Sequence, residues 1–332
     1  MQISEYVSIG HPDKTADYIS EYILDRLIEQ DAKTRYALEV QIKDNFVTLA
    51  GEVTTNAKTD YDNWVKQAVA DIGYTHEYAL KWGAQNVMDC DSLKVEKHIS
   101  QQSNDIAQGV NSDGWGDQGI MFGMAINSPE TNYMPKDLYL AKMLGKSLYE
   151  SGWGGLDIKT LIAMDKDKVQ KVIIAIPLLT DKKPVEEFIR GKIKGSYELI
   201  VNGTGRYVTH SSMGDCGTTG RKLAVDFYGG SCNVGGGCPW TKDGTKADLT
   251  LNLYARKKAL DYVKAHNVDF ARCGIACCIG RKEIEVAIWD NQGNELESYR
   301  EEISPADLIK FFDLDKPIYA KMCKEGLFEA VK

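Results

Sequence analysis

Apolar residues recur along the chain at two spacings. Between residues 16 and 31, Ile19, Tyr22, Ile23, Leu27 and Ile28 fall three or four apart, on one face of a helix. Leu38, Val40 and Ile42 then alternate with Glu39 and Gln41, the period of a strand. Asp44-Asn45 makes a turn into a second strand over 46–53. Trp64, Val65, Ala68, Val69 and Ile72 return to helical spacing. The same alternation predicts a strand over 119–127, a helix over 137–150, a hairpin of 159–164 with 169–176, and a helix over 184–193 opened by Pro184. A long helix over 248–266, strands over 271–279 and 282–289, and a helix over 305–312 complete the series. Strand pairs alternating with helices argue for an α+β chain of three similar two-layer units. Provisional limits are 1–112, 113–225 and 226–332. No Pro-rich or low-complexity linker separates them, which suggests that the units intertwine.

Composition adds exclusions. The chain has 332 residues, 43% apolar and 27% charged, ordinary values for a globular protein. Its net charge is −8, from 40 basic and 48 acidic residues. Such a surface does not attract nucleic acid or anionic lipid, so an anionic ligand must find a local basic cluster. The opening MQISEYVSIGHPDK lacks an apolar signal core, and no apolar run approaches the roughly 18 residues of a membrane span. A cytoplasmic protein with no membrane contact is expected. The eight cysteines include no CxxC pair, which argues against a zinc ribbon and for buried, reduced thiols.

Four glycine-punctuated polar segments hold the candidate chemistry: Gly10-His11-Pro12-Asp13-Lys14, Gly114-Trp115-Gly116-Asp117-Gln118-Gly119, Met213 to Lys222 (MGDCGTTGRK), and Gly235-Gly236-Gly237 with Lys242, Lys246 and Asp248 beyond it. Each has an ordinary reading. HPDK alone is a helix start capped by Asp13, GDxG alone is a turn, and a triple glycine alone is a flexible loop. Four together, each with carboxylates or cations beside glycine, point to one polyphosphate–metal site: glycine admits close backbone approach, aspartate holds magnesium, and lysine and arginine neutralise phosphate. No P-loop string is present. Gly114, Gly116 and Gly119 match GxGxxG, but they precede an apolar strand instead of opening a helix, so the dinucleotide reading lacks its context.

With GEVTT (51–55), QSNDIAQGV (102–110), GDQGIMFG (116–123), TGRYV (204–208), DFYGG (226–230) and the triple glycine, GHPDK and GDCGTTGRK resemble the motifs of the S-adenosylmethionine synthetase family, in the same order and over nearly the whole chain. The resemblance implies that the sulfur of L-methionine attacks C5′ of ATP and expels tripolyphosphate, which is then hydrolysed to phosphate and diphosphate. A thioether has no proton to lose, so no general base is needed. The demand falls on in-line orientation and on stabilising a leaving group of about four negative charges.

By motif, the resemblance implies His11 beside the breaking C5′–O bond, and Lys159, Arg221, Lys222 and Lys242 on the phosphates. Asp13 and Asp248 would hold two magnesium ions per site, and Glu39 a potassium ion. Arg206 and Tyr207 would border the adenine, with Asp117 near the ribose. Glu52, Gln102, Asp215 and Lys246 would face methionine, Asp215 reaching ATP as well. It also implies self-association as a dimer or tetramer, with the site at the subunit boundary.

The chain departs from the family's pattern in places. It is short, with only Asn111 to Trp115 where a longer gating loop usually lies, and its end is trimmed. Ile9 stands for an acidic residue, Gly203 for a proline, and Pro239-Trp240 for smaller residues. Alternatives are therefore an adenosyltransferase for a methionine analogue, a non-catalytic nucleotide-binding regulatory subunit, which should have lost His11, Asp13 or the basic set, and a phosphotransferase.

Overall fold

The strands either side of Asp44 form the predicted hairpin, with Asp44 in the left-handed region at φ 53°. They belong to a chain of twelve strands and eight helices of two turns or more, counted over the described residues, 1–101, 114–329 and 331, of a computed structural model. In order these are β1 (Gln2–Val7), α1 (Pro12–Ile28), β2 (Arg35–Lys43), β3 (Phe46–Thr54), α2 (Tyr61–Ile72), α3 (His76–Trp82), β4 (Lys94–Ser100), β5 (Gly119–Ile126), α4 (Lys136–Ser151), β6 (Lys159–Asp165), β7 (Lys168–Ala175), α5 (Lys183–Lys192), β8 (Glu198–Val201), β9 (Gly217–Thr218), α6 (Ala247–His266), β10 (Phe270–Cys277), β11 (Glu283–Trp289), β12 (Glu295–Glu302), α7 (Pro305–Phe311) and α8 (Tyr319–Glu325).

The strands make three four-stranded sheets, ordered β1-β6-β7-β8, β4-β3-β2-β9 and β12-β11-β10-β5. Neighbours are antiparallel except β3 with β4 and β7 with β8. Each sheet is two-layered: α4 covers β1 and β6, α1 covers β2 and β9, and α6 covers β5 and β10. This is the α+β architecture read from the sequence. The sheets recruit strands far apart in the chain. β1 pairs with β6, Gln2 opposite Met164, and β9 pairs with β2, Thr218 opposite Gln41. One apolar core runs through the sheets of β2 and β10, and a second fills the space between the β6 sheet and helices α4 and α5.

Helix α1 begins at Pro12 and not at Ala16, because His11 rather than Asp13 is its cap. Proline suits the first turn, where its missing N–H is no loss. The helix is buried on more than its apolar face. Asp13, Asp17, Glu21 and Asp25 lie four residues apart, along one stripe, and each carboxyl accepts a backbone N–H from a segment distant in the chain. Asp13 takes Thr218 (3.0 Å), Asp17 takes Gly220 (2.9 Å), Glu21 takes Thr241 (2.6 Å), and Asp25 takes Tyr319 and Ala320 (both 2.9 Å). The buried stripe thus binds distant backbone instead of apolar side chains: the start of α8 at Asp25, and at the other three rungs the two segments that carry the basic residues singled out by sequence.

Candidate active site

The site begins where β1 ends. A Cβ at Gly10 would collide with the Leu156 carbonyl, so only glycine lets the chain turn from β1 into α1 there. His11 follows, 3% exposed, and its Nδ1 accepts the N–H of Asp13 at 3.1 Å. The ring proton therefore sits on Nε2. Burial pushes the imidazole pKa down to about 3, helped by the cations of Lys159 and Lys222, so His11 is neutral and a donor near pH 7. Asp13 is also buried, which would raise its carboxyl, but Lys222 and the Thr218 N–H outweigh burial and hold it below the usual carboxylate range. The positive end of the α1 dipole adds to this field.

The loop opposite is pressed against α1. Gly217 lies so close to the Pro12 carbonyl that a Cβ would overlap it. Lys222 pairs with Asp13 Oδ2, and Arg221, half exposed, lies 3.7 Å from Asp13 Oδ1. Glu39 on β2 accepts the hydroxyls of Thr219 and of Thr241 (3.1 Å), one from each basic loop.

Beside this cluster is a cavity of about 410 Å³ lined by Asp157, Lys159, Asn202, Arg206, Tyr207 and Asp215, among others. Lys159, at the start of β6, belongs to both, since its cation also acts on His11. Tyr207 donates to the Asp157 carbonyl (3.3 Å), which fixes its ring in the wall. Asp157 is the residue the motifs missed as a candidate, although it stands in the same Asp-Ile-Lys-Thr string as Lys159. Its Oδ2 accepts the Ser211 N–H at 3.2 Å, whereas its Oδ1 is buried and unpaired. Burial lifts this carboxyl to about 6 against the pull of Lys159. His210 also lines the cavity and is a strut. Nδ1–H donates to Val208 O (2.6 Å), Nε2 accepts from Tyr78 (2.8 Å), and burial lowers its pKa to about 4.

A third group lies along the far end of β2. Lys242 pairs with Asp248 in the first turn of α6, and Lys246 with Asp243 at 3.2 Å. Asp117 is drawn to the same region, its carbonyl accepting the Cys277 thiol, which the charges of Asp248 and Asp117 both touch. Glu52 stands opposite Ala37, which in turn bridges Lys242. The triple glycine is no flexible loop: a Cβ at Gly237 would overlap the Asp248 carboxylate, and one at Gly235 the Ile120 carbonyl. The 410 Å³ cavity includes none of Glu52, Asp117, Lys242, Lys246 and Asp248 in its lining. Gln102 lies outside the described residues.

The chain is similar to known proteins over nearly its whole length. The family model for the S-adenosylmethionine synthetase N-terminal domain matches residues 1–104, and that for the C-terminal domain matches residues 209–332. An S-adenosylmethionine synthase from Brachyspira hyodysenteriae is 33% identical, with 98% of this chain and 92% of the relative covered. The chain belongs to the S-adenosylmethionine synthetase family. The synthase from Mesoplasma florum is 32% identical over 98% of this chain and 94% of its own length. A solved structure described as an unusual S-adenosylmethionine synthetase from Campylobacter jejuni superposes with a TM-score of 0.89 at 29% identity, covering 100% of this chain and 96% of that one. The alignment to the Brachyspira synthase spans 371 positions against 332 residues here, so the relative carries insertions.

Two departures from the S-adenosylmethionine synthetase pattern now have a physical setting. Trp240 is fully buried, donates Nε1–H to Asp226 at 2.8 Å, and lies under the Lys14 ammonium, 4.4 Å from its ring. It therefore seals the Lys14–Asp17–Asp226 ion cluster behind the site. Ile9 is buried beneath the His11 turn and leaves no charge there. The eight cysteines are free thiols, and no described helix is long and apolar enough to cross a membrane.

Proposed function

We propose that this chain makes S-adenosylmethionine from ATP and L-methionine. The observation that carries the reading is a neutral His11 whose Nε2–H has no partner among the described residues, set among Lys159, Lys222 and Asp13 at the positive end of α1, beside a cavity of nucleoside size. A sulfur lone pair forms the S–C5′ bond as the C5′–O bond breaks, and the departing oxygen keeps the electron pair. No proton leaves the sulfur, so the chain's task is to hold charge. His11 donates Nε2–H to that oxygen without adding a full charge. Lys159, Arg221 and Lys222, with Lys242 from the neighbouring loop, neutralise the phosphates and remain to assist attack of water on the bound tripolyphosphate.

Tyr207 and Arg206 flank the base, and the unpaired Asp157 oxygen accepts from a sugar hydroxyl, with Asp117 reaching the ribose from another direction. Glu52, Gln102, Asp215 and Lys246 recognise the amino acid ends of methionine. The donor sets suit the expected ions. Asp13 and Asp248 are hard carboxylates that would hold two magnesium ions, each now paired with a lysine that phosphate would draw off. Magnesium supplies further charge neutralisation on the phosphates. Glu39 with the Thr219 and Thr241 hydroxyls is an all-oxygen set suited to potassium.

The division of candidates between the cavity and the far end of β2 favours a site completed by a second copy across the subunit boundary, as a dimer or tetramer. A cytoplasmic setting fits the free thiols. The approximate limits 1–112, 113–225 and 226–332 stand as a proposal for three intertwined units, which exchange strands across them: β1 lies in the sheet of β6, β9 in that of β2 and β5 in that of β10.

The test is incubation of the purified chain with ATP, L-methionine, Mg²⁺ and K⁺. Equal amounts of sulfonium product, diphosphate and phosphate are expected. A phosphorylated product, or ATP binding without turnover, would overturn the reading. Titration with ethionine and selenomethionine separates it from an enzyme specific for an analogue.

A further inference from the structure

Glu21 occupies the third rung of the α1 stripe. It is fully buried, and of its two oxygens one accepts the Thr241 N–H at 2.6 Å while the other has no partner. The residue it grips is unusual. Thr241 is β-branched yet sits at φ 71°, a left-handed conformation that such residues avoid. Three bonds enforce it: the N–H to Glu21, the carbonyl from Leu38 N–H at 3.1 Å, and the hydroxyl to Glu39. The next residue is Lys242, whose direction follows from that backbone angle. Only the Glu21 bond comes from outside the β2 sheet.

We propose that Glu21 is a positioning residue, which clamps Thr241 in its left-handed conformation so that Lys242 points into the phosphate site. The proposal rests on the reading of Lys242 as a phosphate-contacting cation. Glu21 touches no substrate. It acts through one backbone amide, so its effect should fall on the chemical step, where Lys242 meets developing charge, more than on ground-state binding.

Glu21→Asp withdraws the carboxyl by one methylene while keeping the same acid group. It should lower kcat at least tenfold and leave KM for ATP and methionine within about threefold. Glu21→Gln, which keeps an acceptor at the same reach, should hold kcat within about threefold of the parent. Thr241→Gly also removes the hydroxyl that Glu39 accepts, so the rescue is read against Thr241→Gly alone: in that background Glu21→Asp should lower kcat no more than twofold, since glycine adopts φ 71° unaided. Asp25→Asn is the control. Its rung holds Tyr319 and Ala320, away from the site, so it should lower Tm without lowering kcat more than twofold.

The clamp is overturned if Glu21→Asp keeps kcat within twofold, or if Glu21→Asp and Asp25→Asn lower kcat alike. Should Glu21→Asp alone not fold, the double variant decides: kcat matching that of Thr241→Gly alone supports the clamp, and a folded protein well below it overturns it. Lys242→Met is read separately. If it leaves kcat unchanged, the role of Lys242 itself is wrong. If it lowers kcat while Glu21→Asp does not, only the clamp is wrong.

Discussion

Replacing His11 by asparagine separates the two things this residue does. His11 caps α1 through Nδ1 and offers Nε2–H to the site. Alanine would remove both functions, and loss of the cap alone costs about 1 kcal/mol of stability. Asparagine is a good N-cap and can accept the Asp13 N–H, so the helix start survives, but its side chain does not reach where Nε2 lies. The loss is then that of one preorganised donor to a developing oxyanion, about 10²–10³ in kcat, or about 2.7–4 kcal/mol. Because burial, Lys159 and Lys222 hold the imidazole pKa at about 3, the donor is neutral throughout the working range. The parent's kcat should accordingly show no inflection near pH 6.5 from this group. The assay is initial-rate sulfonium formation at saturating ATP and methionine, from pH 5.5 to 8.5, with Tm measured alongside. A kcat within threefold of the parent, or a KM for ATP that rises as much as kcat falls, would refute the argument.

Other outcomes follow from the same geometry. Glu39→Gln should abolish activation by potassium, seen as a kcat that no longer changes when K⁺ replaces a large organic cation. Asp157→Asn should raise KM for ATP about tenfold, about 1.4 kcal/mol, and reduce discrimination against 2′-deoxy-ATP and 3′-deoxy-ATP. His210 should make the fold acid-sensitive. Its folded pKa of about 4 lies below the unfolded value of 6.5, so the unfolded chain binds more protons between them and stability falls as pH drops through that window. The full effect is about 3 kcal/mol. Urea unfolding at pH 7 and pH 4.5 should therefore show a smaller drop for His210→Gln than for the parent, a difference that cancels the opposing raised carboxyls of Asp25 and Asp157.

What could be read from the sequence, and what could not, divides along physical lines. Central strands such as β2, β6 and β10 and helices such as α2 and α6 bury a regular face, and their periodicity gave them away. The strands that went unread (β1, β4, β8, β9 and β12) are all sheet edges. An edge strand needs no apolar alternation, and β12, ELESYREE, is charged nearly throughout. On α1 the apolar stripe was legible, but the acidic stripe went unread. Asp17 and Glu21 are instead fully buried, because loops more than 200 residues away supply the amides that satisfy them. Spacing along one helix holds no trace of such partners. The motif glycines were visible as motifs, but the reason for Gly217 and Gly237, contact with the Pro12 carbonyl and the Asp248 carboxylate, is purely three-dimensional.

The way the sheets borrow strands has a bearing on how the protein is born. Strand β1 leaves the ribosome before the other described strands, yet its neighbour in the sheet, β6, begins at Lys159, and that sheet closes only when β8 ends at Val201. At roughly 5–20 residues per second the wait is about 10–40 s. Throughout that interval the opening segment, His11 included, has no fixed seat. A nascent chain halted before β6 would present β1 unpaired to any other strand, so slowing translation through the first half should lower the yield of folded protein.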